Sequence, residues 1–157
     1  MLVELIKYGG LTAVVASCVS ISWIDYHQHR IPNRLTGPLA AGTVLWLLLL
    51  GALTSELGSA VKAIAVGLAM AVGLLAINFA TNAIGMGDVK LVAPVAATVT
   101  WLGRNPSITT MVVIAAAALL VSGAAIAKGH GLRHQVPLAP IITVGLIGGA
   151  LAHGIGQ

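Results

Sequence analysis

Apolar residues along this chain gather in six runs, at about residues 9–24, 39–53, 61–80, 89–102, 108–127 and from the Val136 to Pro140 stretch to about 154. Short polar or glycine-bearing breaks separate them, and each run is read as a helix that crosses or nearly crosses a bilayer. A hydrocarbon core of about 30 Å takes roughly 20 helical residues per crossing, so the shorter runs are tight fits. Tyr8 and Trp23 flank the first run, where amphipathic rings favour the membrane interface. That run stops at Asp25, and the polar stretch from Asp25 to Arg34 reads as a loop in which Pro32 disfavours helix at Ile31. Thr36 and Pro38 are suited to cap and start the second helix. The stretch 54–59 is a small turn, and Asn78 and Asn82, four apart, share a face near the end of the third run. Their simplest use is interhelical hydrogen bonding. Pro94 predicts a kink in the fourth run, and 103–107 turns the chain into the fifth. Gly145 and Gly149 have the small-residue spacing that lets helices approach closely.

Composition strengthens this picture. The 157 residues are 58% hydrophobic and 8% charged, against roughly 25% charged in soluble domains. The expected fold is an all-α integral membrane protein with about six transmembrane helices, forming a single domain over residues 1–157. The lipid bilayer is its first partner. A net charge of +4 carries no basic run or aromatic-studded patch, so it reads as a topology signal and nucleic acid is not an expected partner. The single cysteine, Cys18, excludes disulfide frameworks and cysteine zinc sites, and reads as a small buried residue. Glu4 and Lys7 break the basic start of a signal peptide. Val15 to Cys18 loosely resembles a lipoprotein processing site, but cleavage there would destroy the first span.

Loop charge sets an expected orientation. Arg30, Arg34, Lys90, Lys128 and Arg133 fall after the first, third and fifth runs, and Lys7, Lys62 and Arg104 on the opposite side. The richer side is expected to be cytoplasmic. Asp25 and Asp88 then share the cytoplasmic face.

Only four acidic residues occur, Glu4, Asp25, Glu56 and Asp88. Ionisable groups at membrane depth are costly and mark functional candidates. Either aspartate alone reads as an interfacial residue or turn former; held within a few Å of each other, two carboxylates share a proton, as in aspartic proteases. Gly85 and Gly87 flank Met86 just before Asp88, where residues without a β-carbon let an extended substrate approach. Lys90 either favours ionised Asp88 or snorkels to the interface. His27, His29, His130 and His134 lie in loops on the same side, with a spacing that matches no zinc motif, so no metal and no cofactor are assigned. His153 reads as interfacial at the far end. Two other functions fit buried acids: a small proton- or ion-coupled transporter using the same aspartates, and a structural membrane subunit.

The residues also carry a family resemblance. Asp25 followed by Ile31, Pro32, Asn33, Leu35 and Thr36 resembles the first aspartate motif of the type IV prepilin peptidases and their archaeal preflagellin relatives. Gly85, Met86, Gly87, Asp88, Val89, Lys90 and Leu91 resembles the second, and Val136 to Pro140 resembles the proline-bearing start of the last helix. The resemblance implies a GxGD-type aspartyl protease core with Asp25 and Asp88 catalytic, and Gly85, Gly87, Lys90, Pro32 and Asn33 shaping the site. It implies a prepilin or pseudopilin precursor as substrate, and an inner-membrane, multi-pass enzyme cutting at the cytoplasmic face. The cysteine-rich methyltransferase domain of larger members has no counterpart here. Peptidase activity without methylation is expected, as in the small members serving Flp-type tight-adherence pili.

Overall fold

The structure is a computed structural model that describes residues 1–28, 33–81, 86–103, 105–114 and 138–155. Six helices are described: α1 (Leu2–Gln28), α2 (Asn33–Leu53), α3 (Leu57–Thr81), α4 (Met86–Leu102), α5 (Asn105–Ile114) and α6 (Leu138–Ile155). No strand occurs among the described residues. Three stretches, Leu2–His27, Arg34–Leu53 and Leu57–Ala76, are long and apolar enough to cross a membrane. The 17 residues of α4 reach about 25 Å, short of a hydrocarbon core.

The helices overrun the apolar runs that predict them. α1 continues through Asp25, so the first aspartate sits in a helix and not in a loop. α2 begins before Thr36 and encloses Pro38, so neither caps it; Thr36 is buried in the helix instead. α4 starts at Met86, taking Asp88 into its first turn. In each case backbone hydrogen bonding carries the helix past the point where side chains turn polar, because the i to i−4 ladder does not depend on side-chain hydropathy.

Contacts along the helices make each neighbour antiparallel to the last. Late in α2, the Trp46 indole Nε1–H donates to the Ile6 carbonyl of early α1 at 2.9 Å. Gly51 near the end of α2 lies against Leu57 and Ala60 at the start of α3. Gly67 of α3 lies against Ala93 and Ala97 of α4. Thr143 in early α6 bonds Ser22 in late α1, and Gly145, Gly148 and Gly149 meet Ile114, Val113 and Thr110 of α5 in reversed order.

Each helix turns a regular stripe inward. On α1 the buried positions are Leu11, Val14, Cys18, Ile21 and Asp25, and on α2 they include Thr36, Leu39, Thr43, Trp46 and Leu50. Both follow the alternating three- and four-residue spacing of packed helices. On α6 the stripe is Ala139, Ile142, Leu146 and Gly149. α4 is buried on most sides, from Val89 through Leu102, and packs against α3, α2, α6 and α1. It is the helix around which the others are arranged.

Several hydroxyls are satisfied locally, whereas the buried Thr110 Oγ1 has no hydrogen-bond partner among the described residues. Thr12, Ser17, Ser20, Thr43 and Thr98 each donate to the carbonyl four residues back, as an apolar environment requires. The corner after α4 depends on Gly103, whose φ of 120° is strained for any residue with a β-carbon. Ser107 Oγ closes that corner by donating to Val99 and Gly103 carbonyls at 2.9 and 2.8 Å.

Candidate active site

The antiparallel order gathers the C-terminal ends of α1 and α3 with the N-terminal ends of α2, α4 and α6. The described parts of the three sequence motifs therefore lie toward one end of the bundle. Asp25 is carried there as the last member of the inward stripe on α1, and is only 7% exposed. Its helical neighbours Trp23 and Tyr26 point outward and are exposed. His27 contacts both, tilted against Trp23 and edge-on to Tyr26 with ring centroids 4.6 and 5.4 Å away, and its Nδ1 is 2.9 Å from the Trp23 carbonyl. The same two turns thus present an acid to the interior and aromatic rings to the surroundings.

Asp88 enters from α4, in the first turn of the helix, where a carboxylate is favoured by the unsatisfied N–H groups and the helix dipole. It is half-buried, as is Gly87 beside it. Val89 and Leu91 pack into the core, which orients the turn, while Lys90 faces outward. From α3 comes Asn78, on the face that continues Ala60, Ala63 and Gly67 toward α4. Asp25, Asn78, Asp88 and Lys90 are each held by a hydrogen bond, ion pair or other electrostatic interaction.

Asn33 opens α2 at this end, whereas Pro32, Gly85 and Asn82 lie outside the described residues. So do His29, His130 and His134; of the loop histidines only His27 is described. Among the described residues no group of three His, Cys, Asp or Glu side chains is placed to hold a metal ion. His153, expected at an interface, is half-buried in α6, and its Nε2 is buried without a hydrogen-bond partner among the described residues.

Sequence reasoning missed one polar feature at this end. Ser22 Oγ lies 2.6 Å from Thr143 Oγ1, joining α1 to α6 one turn inside Asp25. The Cys18 carbonyl oxygen is within hydrogen-bond reach of both hydroxyls, 2.8 Å from Ser22 and 3.2 Å from Thr143, and the Ala139 carbonyl lies 2.9 Å from Thr143. A hydroxyl one turn before the acid was the available signal on α1. Nothing local marked its partner on α6.

Chemically, the arrangement offers a buried carboxyl group and a second at a helix N-terminus, with a glycine beside the latter. Comparison with known proteins gives one finding. A family model described as the type IV leader peptidase family matches residues 12–152, from early α1 into the last turns of α6. No match was found among curated proteins or among solved structures.

Proposed function

Because the chain belongs to the type IV leader peptidase family, we propose that it is an aspartic endopeptidase that removes the leader peptide from type IV pilin-like precursors. Its family is one of proteases, and its long apolar helices make it a membrane protein. The observation that carries the aspartic reading is the burial of Asp25 on the inward stripe of α1, at the bundle end where α4 begins with Asp88.

In this reading the two aspartates form a dyad with one proton between them. The ionised carboxylate takes a proton from water, and the hydroxide equivalent attacks the scissile carbonyl carbon. The protonated partner donates to the carbonyl oxygen and stabilises the tetrahedral intermediate. Collapse of the intermediate breaks the C–N bond, the leaving amine takes a proton from the dyad, and the carboxyl product forms. Either aspartate fits either role.

The whole chain, residues 1–157, acts as one membrane-embedded peptidase domain, with six helices crossing or entering the bilayer. The charge count favours a cytoplasmic active site. Cys18 being the single cysteine, no methyltransferase activity accompanies cleavage. Prepilin leaders in such systems are typically basic and this end of the enzyme carries Arg34 and Lys90, so loop charge does not attract the substrate. Instead the apolar segment of the pilin packs on small-residue helix faces, and the cleavage site unwinds over the glycines that precede Asp88.

Co-expression with candidate prepilins tests the function by precursor mass. Wild type removes the leader, and Asp25→Asn and Asp88→Asn each leave the precursor intact at normal membrane abundance. Cleavage that survives either change sinks the dyad. An intact precursor with the wild-type enzyme, together with ion flux that depends on the same acids, would support a transporter instead.

A further inference from the structure

We propose that Trp23, Tyr26 and His27 form a cation-recognition site on the outer side of α1, which holds a lysine or arginine side chain of the precursor while its scissile bond lies at Asp25; this rests on the reading of the chain as a leader peptidase. Trp23 and Tyr26 are 69% and 65% exposed, and His27 is exposed beside them. The His27 ring meets Trp23 at 4.6 Å and 41°, and Tyr26 at 5.4 Å and 78°, so neither ring lies flat on it and their π faces stay open. Such faces attract a cation, Trp most strongly. The imidazole adds a directed acceptor. Its Nδ1 is 2.9 Å from the Trp23 carbonyl, which can only accept, so Nδ1 carries the hydrogen and the neutral ring leaves the Nε2 lone pair for a donor. Two aromatic faces and one acceptor select an N–H cation over an anion.

Placement ties this surface to the cleavage site. Trp23 and His27 are about one helical turn apart and straddle Asp25 in height, so a cation held by the rings lies at the depth of the acid, on the other side of a helix about 10–12 Å across. An extended chain advances about 3.3 Å per residue, so about three or four residues cover that width. A precursor lying at Asp25 therefore brings a side chain that far from its scissile bond to the rings. Formal charge offers a cation no hold at this surface: among the described residues the exposed charges of this end are Arg34 and Lys90, both positive, and neither aspartate is exposed. A lipid headgroup needs no register with a scissile bond, and that difference separates the two occupants.

Fluorescently labelled precursor segments, each with a single lysine at a successive distance from the scissile bond and a norleucine twin as the neutral match, test the site. Binding is read by anisotropy on full-length Asp88→Asn enzyme in lipid nanodiscs, so that no turnover intervenes. A lysine about three or four residues from the bond is expected to tighten binding about tenfold over its norleucine twin, with little effect at other positions. Adding Trp23→Leu removes that preference, Trp23→Phe retains part of it because a π face remains, and His27→Phe weakens it by removing the acceptor. Equal binding of lysine and norleucine twins at every position overturns the proposal, and so does a preference that survives Trp23→Leu. A Trp23→Leu loss that is the same for all segments and disappears when phosphatidylethanolamine is left out of the nanodiscs assigns the rings to lipid headgroups and also overturns it. Cleavage by the wild-type enzyme is scored in parallel. Segments bound with the lysine preference but never cut overturn the peptidase reading and leave the cation site; segments cut with no lysine preference overturn the site alone.

Discussion

The Trp46 indole donates to the Ile6 carbonyl at 2.9 Å, and the ring can reach it because Gly10 on α1 leaves the space it occupies. A β-carbon at Gly10 would run into that indole, whereas Gly9, one residue earlier, faces open space. This contact pins the far end of the helix that presents Asp25.

Gly9 and Gly10 should therefore respond oppositely to alanine. Gly9→Ala is expected to hold or raise the thermal midpoint in detergent, since alanine favours helix by about 1 kcal/mol. Gly10→Ala should lower the midpoint, costing about 1–3 kcal/mol of stability through overpacking, and Trp46→Phe should cost about 1 kcal/mol through the lost hydrogen bond. Equal midpoints for Gly9→Ala and Gly10→Ala would contradict the close approach.

The α3–α4 contact makes a second paired test. A β-carbon at Gly67 meets the Ala93 carbonyl and Ala97, backbone and side chain of the central helix, while one at Gly73 meets nothing. Gly67→Ala is expected to destabilise by about 1–3 kcal/mol, because backbone cannot swing aside. Gly73→Ala should be neutral or stabilising in the same melt.

Bulk at Gly87 probes the substrate path. Gly87→Leu is expected to cut the cleavage rate at least about tenfold, by blocking backbone approach beside Asp88, with membrane abundance unchanged. Normal processing by this variant would count against an extended substrate passing over the turn.

Chelators distinguish a carboxylate mechanism from a metal one. Cleavage should be insensitive to prolonged chelation, since two aspartates activate water without an ion. Activity lost on chelation and restored by zinc would shift attention to His27 and the other histidines that the sequence assigns to loops.

How much of this was legible beforehand differs from feature to feature. Each of the six apolar runs overlaps a described helix, the fifth only over 108–114, and the pairing of Gly145 with Gly149 marked a true close approach. That α5 fills the approach, through Thr110 and Ile114, had no local signature. Asp25 was read into a loop because apolar sequence ends there, yet α1 continues to Gln28 and Asp25 keeps the register of Leu11, Val14, Cys18 and Ile21. Hydropathy locates lipid contact, and helix ends follow backbone hydrogen bonds instead.

By itself the sequence determined a helical membrane chain with two acids, the glycines that precede Asp88 and a family resemblance, because hydropathy and motif identity are written in residues close together along the chain. Only the tertiary structure decided that Asp25 faces inward, that α4 lies at the centre, and that Ser22 meets Thr143 across 121 positions of sequence. Interhelical register arises where side chains from distant segments interlock, so no local pattern can specify it.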